Sequence, residues 1–282
     1  MAARVEGKVG IVTGAAHGLG ATLALALARE GASVAAVDVC HDLPLVPYPL
    51  GTEEELNKVV QEIKALGRRA IAIKCDVSQA SEVENMVKTV IGEFGKIDIL
   101  VNNAGVVTFT PFTFWEIQEE EWNLVIDVNL KGTFLCCKYA IPHMIAQKWG
   151  RIVNIGSIDV REGAEATHPH YCASKGGVHT MTLAMARGLG AYSVTMNCIA
   201  PGAIMTPMLQ WAGEAFGGAQ GQTPEEFYAD FNRTYTIMNR QLYPEDIANF
   251  MMWLVSEGAW TVTGEVFFIN GGQKGHLQPP SD

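Results

Sequence analysis

Seven short runs rich in β-branched residues recur along the chain, at residues 9–12, 33–37, 70–73, 97–101, 152–155, 194–199 and 266–269. Between the first six lie helix-length segments whose apolar residues return about every 3.6 positions. Examples are 19–29, 53–65, 83–94, 124–144 and 174–189. Parallel strands need crossovers long enough to hold a helix, and such crossovers are right-handed. The pattern therefore predicts an α/β chain. We expect a single Rossmann-like, doubly wound domain with a seven-stranded parallel sheet and helices on both faces. The 282 residues suit one such domain over 1–282, with no linker, repeat or low-complexity tract. The ends, 1–6 and 275–282, read as loose.

Two segments interrupt the rhythm. Residues 40–52 carry three prolines, which exclude regular helix or a central strand. Residues 206–243 hold a Gly/Ala/Gln-rich stretch (213–222) followed by an aromatic one, and include Trp211, Phe216, Phe227, Tyr228, Phe231 and Tyr235. This second segment reads as a mobile apolar flap over a substrate site.

Charge narrows the partners. Twenty Lys+Arg stand against thirty Asp+Glu, without a basic run, so the chain is a poor binder of nucleic acid or of an anionic membrane. Residues 9–28 carry no formal charge over a membrane-spanning length, but Gly10, Gly14, Gly18 and Gly20 break them into strand, turn and helix. Six scattered Cys, with no CxxC pair, read as buried small residues in a reducing compartment. The expectation is a cytoplasmic protein without metal.

The run Thr13-Gly14-Ala15-Ala16-His17-Gly18-Leu19-Gly20 follows the first strand and opens the first helix. Glycines there allow a tight turn and close approach of backbone to a pyrophosphate, while the helix N-terminus offers free N–H groups. Asp38 ends the second strand about 20 residues later, where a carboxylate accepts hydrogen bonds from ribose hydroxyls. It would repel a 2′-phosphate, and no Arg or Lys at 15–17, 39 or 40 offsets it. The cofactor predicted is NAD rather than NADP, with Gly14, Ala16, His17, Gly18, Leu19, Asp38 and Val39 at its phosphate and ribose end.

Tyr171 and Lys175 stand four residues apart, so on a helix they share a face. An ammonium beside a phenol favours the phenolate, which suits Tyr171 to acid–base work. A plain surface pair is the alternative. Ser157 shifts the balance, because it follows the run 152–155 and so lies at a strand's carboxyl end, where open α/β sheets bind ligands.

With these residues in place, residues 8–272 resemble the short-chain dehydrogenase/reductase family. The matching motifs are 13–20, Asp76-Val77, Asn102-Asn103-Ala104-Gly105, Asn129, Ser157, Tyr171 with Lys175, and Pro201-Gly202. The resemblance implies hydride transfer between NAD and a secondary alcohol or ketone. Tyr171 would be the acid/base and Ser157 the partner of the substrate oxygen. Lys175 would tune Tyr171 and hold the nicotinamide ribose, and Asn129 would anchor a proton-relaying water. Asp76 and Val77 would flank adenine, and Asn103, Ala104 and Gly105 would line the cleft with Pro201 and Gly202. Ile204 and Thr206 would meet the carboxamide. The family also implies a homotetramer, with helices 124–144 and 174–189 in one contact and the last strand in another.

Residues 40–52, with Thr206-Pro207-Met208 and 243–247, are similar to the branch of carveol dehydrogenases and mycofactocin-associated alcohol dehydrogenases. That implies an insert folded over the adenosine end, slow NAD exchange and an external electron acceptor. The substrate pocket is expected from 106–115, including Phe109, Phe112, Phe114 and Trp115, from the loop after Ser157, and from the flap. No cation cluster is present for a phosphate, CoA or polycarboxylate. The expected substrate is an uncharged alicyclic or aromatic, terpenoid-like secondary alcohol. Asp159, Arg161, His168 and His170 stand near the motif residues without an assigned role. An NAD-retaining isomerase or epimerase, and a non-catalytic NAD-sensing module, are the competing functions.

Overall fold

The first apolar run becomes β1 (Val9–Thr13), with every residue buried, as a strand covered on both faces must be. The computed structural model describes residues 4–108, 114–162 and 168–272. Six further strands follow: β2 (Ser33–Asp38), β3 (Ala70–Lys74), β4 (Ile99–Asn102), β5 (Gly150–Ile155), β6 (Val194–Pro201) and β7 (Val266–Ile269). All pair in parallel, in the order β3-β2-β1-β4-β5-β6-β7. β1 faces β2 with Val9 opposite Ser33, and faces β4 with Gly10 opposite Ile99. The order reverses there, so a crevice opens beyond the carboxyl ends of β1 and β4.

Helices cover both faces. One core joins α1 (Gly18–Arg29), α2 (Glu53–Ala65) and α10 (Pro244–Leu254) to the sheet through Leu23, Leu27, Leu56, Val60, Ile247 and Met251. The other joins α3 (Ala80–Phe94), α4 (Glu119–Ile126), α5 (Gly132–Gln147) and α7 (Pro169–Leu189) through Met86, Val125, Cys137, Met144 and Leu189. A one-turn α6 (Asp159–Glu162) precedes α7. Thr52 and Glu55 form a reciprocal capping box that starts α2 where the proline-rich segment ends.

One expectation needs correction, and a second segment gains definition. Segment 124–144 is not one α-helix: a π turn, Asp127–Lys131, separates α4 from α5. The extra residue leaves the apolar spacing nearly unchanged, so periodicity does not show it. Segment 206–243, expected as an apolar flap, is largely helical. It folds as a helical hairpin, α8 (Pro207–Gly218) and α9 (Pro224–Tyr235), each with Thr as N-cap and Pro in the first turn. The Tyr228 hydroxyl donates to the Leu209 carbonyl at 2.8 Å. A Cβ at Gly213 would stand 2.8 Å from the Tyr228 ring, so that glycine lets the helices close. Among the described residues no helix is long and apolar enough to cross a membrane.

Candidate active site

The Gly-rich turn is shaped by contact as well as by dihedral angle. Gly14 has φ +65°, and a Cβ there would lie 2.9 Å from Asn103 Nδ2 and Ala104 Cα. A Cβ at Gly20 would collide with the Gly14 carbonyl. α1 begins without a side-chain cap and without an acidic residue in its first turn. Its leading N–H groups therefore face the crevice uncompensated, as an anion site requires.

Asp38 closes this end. Its Oδ2 accepts from Ala16 N at 3.0 Å and its Oδ1 from Cys40 N at 3.1 Å, so one carboxylate holds the turn and the start of the insert. Asn103 braces the same turn. Its Nδ2 donates to the carbonyls of Thr13 (2.9 Å) and Gly14 (3.1 Å), while Thr13 Oγ1 accepts from the N–H groups of Asn103 and Ala104. A cleft of about 770 Å³ runs from here past Val39, Asp76, Val77 and Gly105 to Ser157 and Tyr171. Pro201, Gly202, Ile204 and Thr206 line its other wall. Ala16 is buried, does not line the cleft, and contributes its N–H to Asp38.

At the far end, α7 presents Tyr171 and Lys175 on one face, and β5 delivers Ser157. Ser157 and Tyr171 line the same end of the cleft, close enough for the serine hydroxyl to influence the phenol. Burial pushes the phenol well above its ordinary value, the Asp159 carboxylate pushes further, and Ser157 opposes both. Lys175 does not reach the phenol. Its Nζ donates to the Ile155 carbonyl at 2.9 Å and stands 5.7 Å from the Tyr171 ring centroid. Burial lowers its pKa to about 8.

Asn129 sits inside the π turn, fully buried, behind Gly105. Its Oδ1 accepts from Val106 N at 2.8 Å, and its Nδ2 donates to Val106 O and to Ser174 Oγ. The amide is thus committed to protein partners, and its main-chain carbonyl accepts from Thr133 Oγ1 at 2.7 Å. A water at Asn129 would be held by a second lone pair of Oδ1 or of that carbonyl.

Two features, Tyr48 and His179, went unread in the sequence, and the residues left there without a role now have places. Tyr48, from the proline-rich insert, is 4% exposed and lines the cleft. Its hydroxyl accepts from Val107 N at 3.0 Å, and its ring packs on Trp211 of α8 at 5.9 Å. The insert therefore reaches past the ribose end, with Leu43 and Leu50 also on the cleft wall. His179, four residues beyond Lys175, continues the same face of α7; its Nε2 lies 3.4 Å from Ser157 N, and burial lowers its pKa to about 4. Its spacing was the available signal. Asp159 and His168 line the cleft as a pair, Oδ2 to Nε2 3.8 Å. His170 turns the other way, to Thr108 Oγ1 (2.6 Å) and Glu121 (3.8 Å). Arg161 leaves the site to lie 5.4 Å over the Phe268 ring. Among the expected pocket aromatics, Phe114 and Trp115 are exposed, and Phe109 and Phe112 lie outside the described residues.

Known proteins share this fold. Residues 8–215 match the short chain dehydrogenase family. The chain is similar to a (-)-trans-carveol dehydrogenase of Rhodococcus erythropolis, 34% identical over 96% of this chain and 98% of the relative. It is 36% identical to a 3-oxoacyl-acyl-carrier-protein reductase of Staphylococcus aureus, over 94% and 97%. A crystal structure of carveol dehydrogenase from Mycobacterium avium in complex with NAD superposes with a TM-score of 0.91 at 30% identity, covering 96% of this chain and 98% of that one. The family match over most of the chain, these identities and the shared fold agree, and the chain belongs to the short-chain dehydrogenase family.

Proposed function

We propose that the protein interconverts a secondary alcohol and a ketone with NAD, acting on an apolar cyclic substrate. The observation that carries this reading is the meeting of Ser157, Tyr171 and Lys175 at the end of a cleft that begins at the uncapped N-terminus of α1.

The residues present fit NAD. The first turn of α1 and the glycines Gly14, Gly18 and Gly20 suit a pyrophosphate, and Asp38 suits two ribose hydroxyls. His17, Leu19 and Val39 would lie along that end, with Asp76 and Val77 at adenine. Asn103, Ala104, Gly105, Pro201, Gly202, Ile204 and Thr206 would enclose the remainder. When bound, NAD supplies the carbon that accepts or returns the hydride. The chain's own task is the proton and the alignment. Tyr171 takes the hydroxyl proton in oxidation and returns it in reduction. Ser157 hydrogen-bonds the same substrate oxygen and steadies its developing charge. Lys175 lies close enough to reach a ribose on leaving the Ile155 carbonyl. Asn129 holds Val106 and Ser174 in place and is the candidate water anchor.

Tyr48, Leu43 and Leu50 support a cofactor held beneath the insert, which favours reoxidation in place by an external acceptor. Phe134 and Leu183, exposed on α5 and α7, with exposed Trp253 on α10 and Trp260 in the turn after it, support a homotetramer. The deciding experiment denatures the purified protein, identifies released nucleotide, and assays cyclic alcohols with an artificial dye as final acceptor. Release of NAD together with dye reduction supports the reading. Turnover of small polyanionic alcohols alone would overturn the substrate class. Interconversion of substrate without dye reduction would favour the isomerase.

A further inference from the structure

The substrate end of the cleft holds a carboxylate–imidazole pair that the proposed reaction leaves unused. Asp159 follows Ser157 by two residues, and its N–H donates to Ser157 Oγ at 3.2 Å, so it is tied beside the reacting hydroxyls. His168 stands across from it, with Nε2 3.8 Å from Oδ2, beyond hydrogen-bonding distance. The His168 ring meets the Tyr171 ring edge-on at 5.9 Å between centroids. Met208, Leu209, Phe216, Phe227 and Phe231 give the same cleft an apolar wall.

The electrostatics are unbalanced. Among the described residues lining the cleft, Lys175 is the single Lys or Arg, and it is engaged by Ile155. Segments 109–113 and 163–167 contain no Lys or Arg. A carboxylate beside Tyr171 opposes phenolate formation, which the oxidation needs. A ligand group that donates to Asp159 offsets that opposition and satisfies the carboxylate at once. A ligand carboxylate or phosphate there would add repulsion.

We infer that Asp159 and His168 form a recognition site for a second hydrogen-bond donor on the substrate, a ring hydroxyl near the reacting carbinol. The substrate class is then a neutral cyclic diol, or the corresponding hydroxyketone, rather than a simple mono-alcohol or a hydroxy acid. The second hydroxyl is bound, not oxidised. This rests on the dehydrogenase reading above.

The test compares cyclohexanol, the 1,2-, 1,3- and 1,4-cyclohexanediols and 2-hydroxycyclohexanecarboxylate, with NAD and a dye acceptor, on wild type and Asp159→Asn. In wild type the best diol should exceed cyclohexanol at least tenfold in kcat/KM, and the hydroxy acid should be the poorest substrate. In Asp159→Asn the diol-to-cyclohexanol ratio should fall to within about threefold, mainly through a raised KM for the diol. Cyclohexanol equal to every diol in wild type would overturn the inference while leaving the dehydrogenase standing. So would an unchanged ratio in the variant, which would leave Asp159 a loop fastener. If wild type turns over none of these alcohols, the dehydrogenase reading falls, and this one with it.

Discussion

The backbone N–H of Ser157 points at Nε2 of His179, 3.4 Å away and two turns of α7 beyond Tyr171. The helix that presents Tyr171 thus also steadies the serine beside it. A methyl at Gly156 would collide with the His179 ring, so the strand end and the imidazole fit only with glycine there. The contact requires a neutral acceptor nitrogen, and burial with nearby Lys175 lowers the His179 pKa from 6.5 to about 4.

That depression sets a pH dependence of stability. Unfolded His179 takes a proton near pH 6.5 while the folded one resists until about pH 4. Within that window the unfolded state binds more protons, so stability falls as pH falls, by up to about 3 kcal/mol at the low end. Urea midpoints at pH 7, 5.5 and 4.5 should show a shallower decline for His179→Asn than for wild type. Parallel declines would remove His179 from the account.

Replacing Tyr171 by Phe should cut kcat by about 10²–10⁴-fold while cofactor still binds. Ser157→Ala should cost about 10²–10³-fold. Single-turnover rates on enzyme loaded with NAD measure both. A Tyr171→Phe enzyme within tenfold of wild type would contradict the assigned proton path.

Asp38→Ala should lower preference for NAD over NADP and also loosen the glycine turn, because the same carboxylate accepts from Ala16 and Cys40. The expected result is at least a tenfold loss in NAD affinity, with a smaller change for NADP. Binding isotherms for both nucleotides give the comparison; unaltered selectivity would count against the ribose role.

Tyr48→Ala removes the ring that rests on Trp211 and the oxygen that receives Val107 N–H. NAD should then dissociate during gel filtration from the variant but stay with wild type. Tyr48→Phe keeps the ring and should show the smaller loss. Equal retention in all three would mean that the insert holds nothing.

Asp159→Asn removes a charge that disfavours phenolate at Tyr171. The rising limb of the pH profile for alcohol oxidation should move to lower pH, by about half to one unit. A shift to higher pH, or none, would place the Asp159 carboxylate too far away to matter.

Much of this architecture was legible because strands covered on both faces must be continuously apolar. The run at 152–155 became the core of β5, and the runs at 33–37 and 266–269 became β2 and β7 with at most one residue added. Motif residues far apart in the chain converge because the topology brings every strand's carboxyl end to one edge. The π turn at Asn129 was invisible, since a single inserted residue shifts hydrophobic phase too little to detect. Helices α8 and α9 were not legible in 206–243 because glycines that serve close helix packing look like glycines that serve flexibility. The starts Thr206-Pro207 and Thr223-Pro224 with Glu226 were the better guide. Prolines in 40–52 exclude regular structure but give no direction, so the destination of Tyr48 required coordinates.

β1 pairs on one side with β2 and on the other with β4, whose first residue lies 90 positions after the start of β1. A growing polypeptide must therefore reach residue 102 before its central strand has both neighbours, and until then one edge is open to wrong partners. Fragments that stop short of β4 should be sticky and dependent on chaperones. A split of this protein into two separately made pieces would best be placed after that point, in the surface connections of the second half.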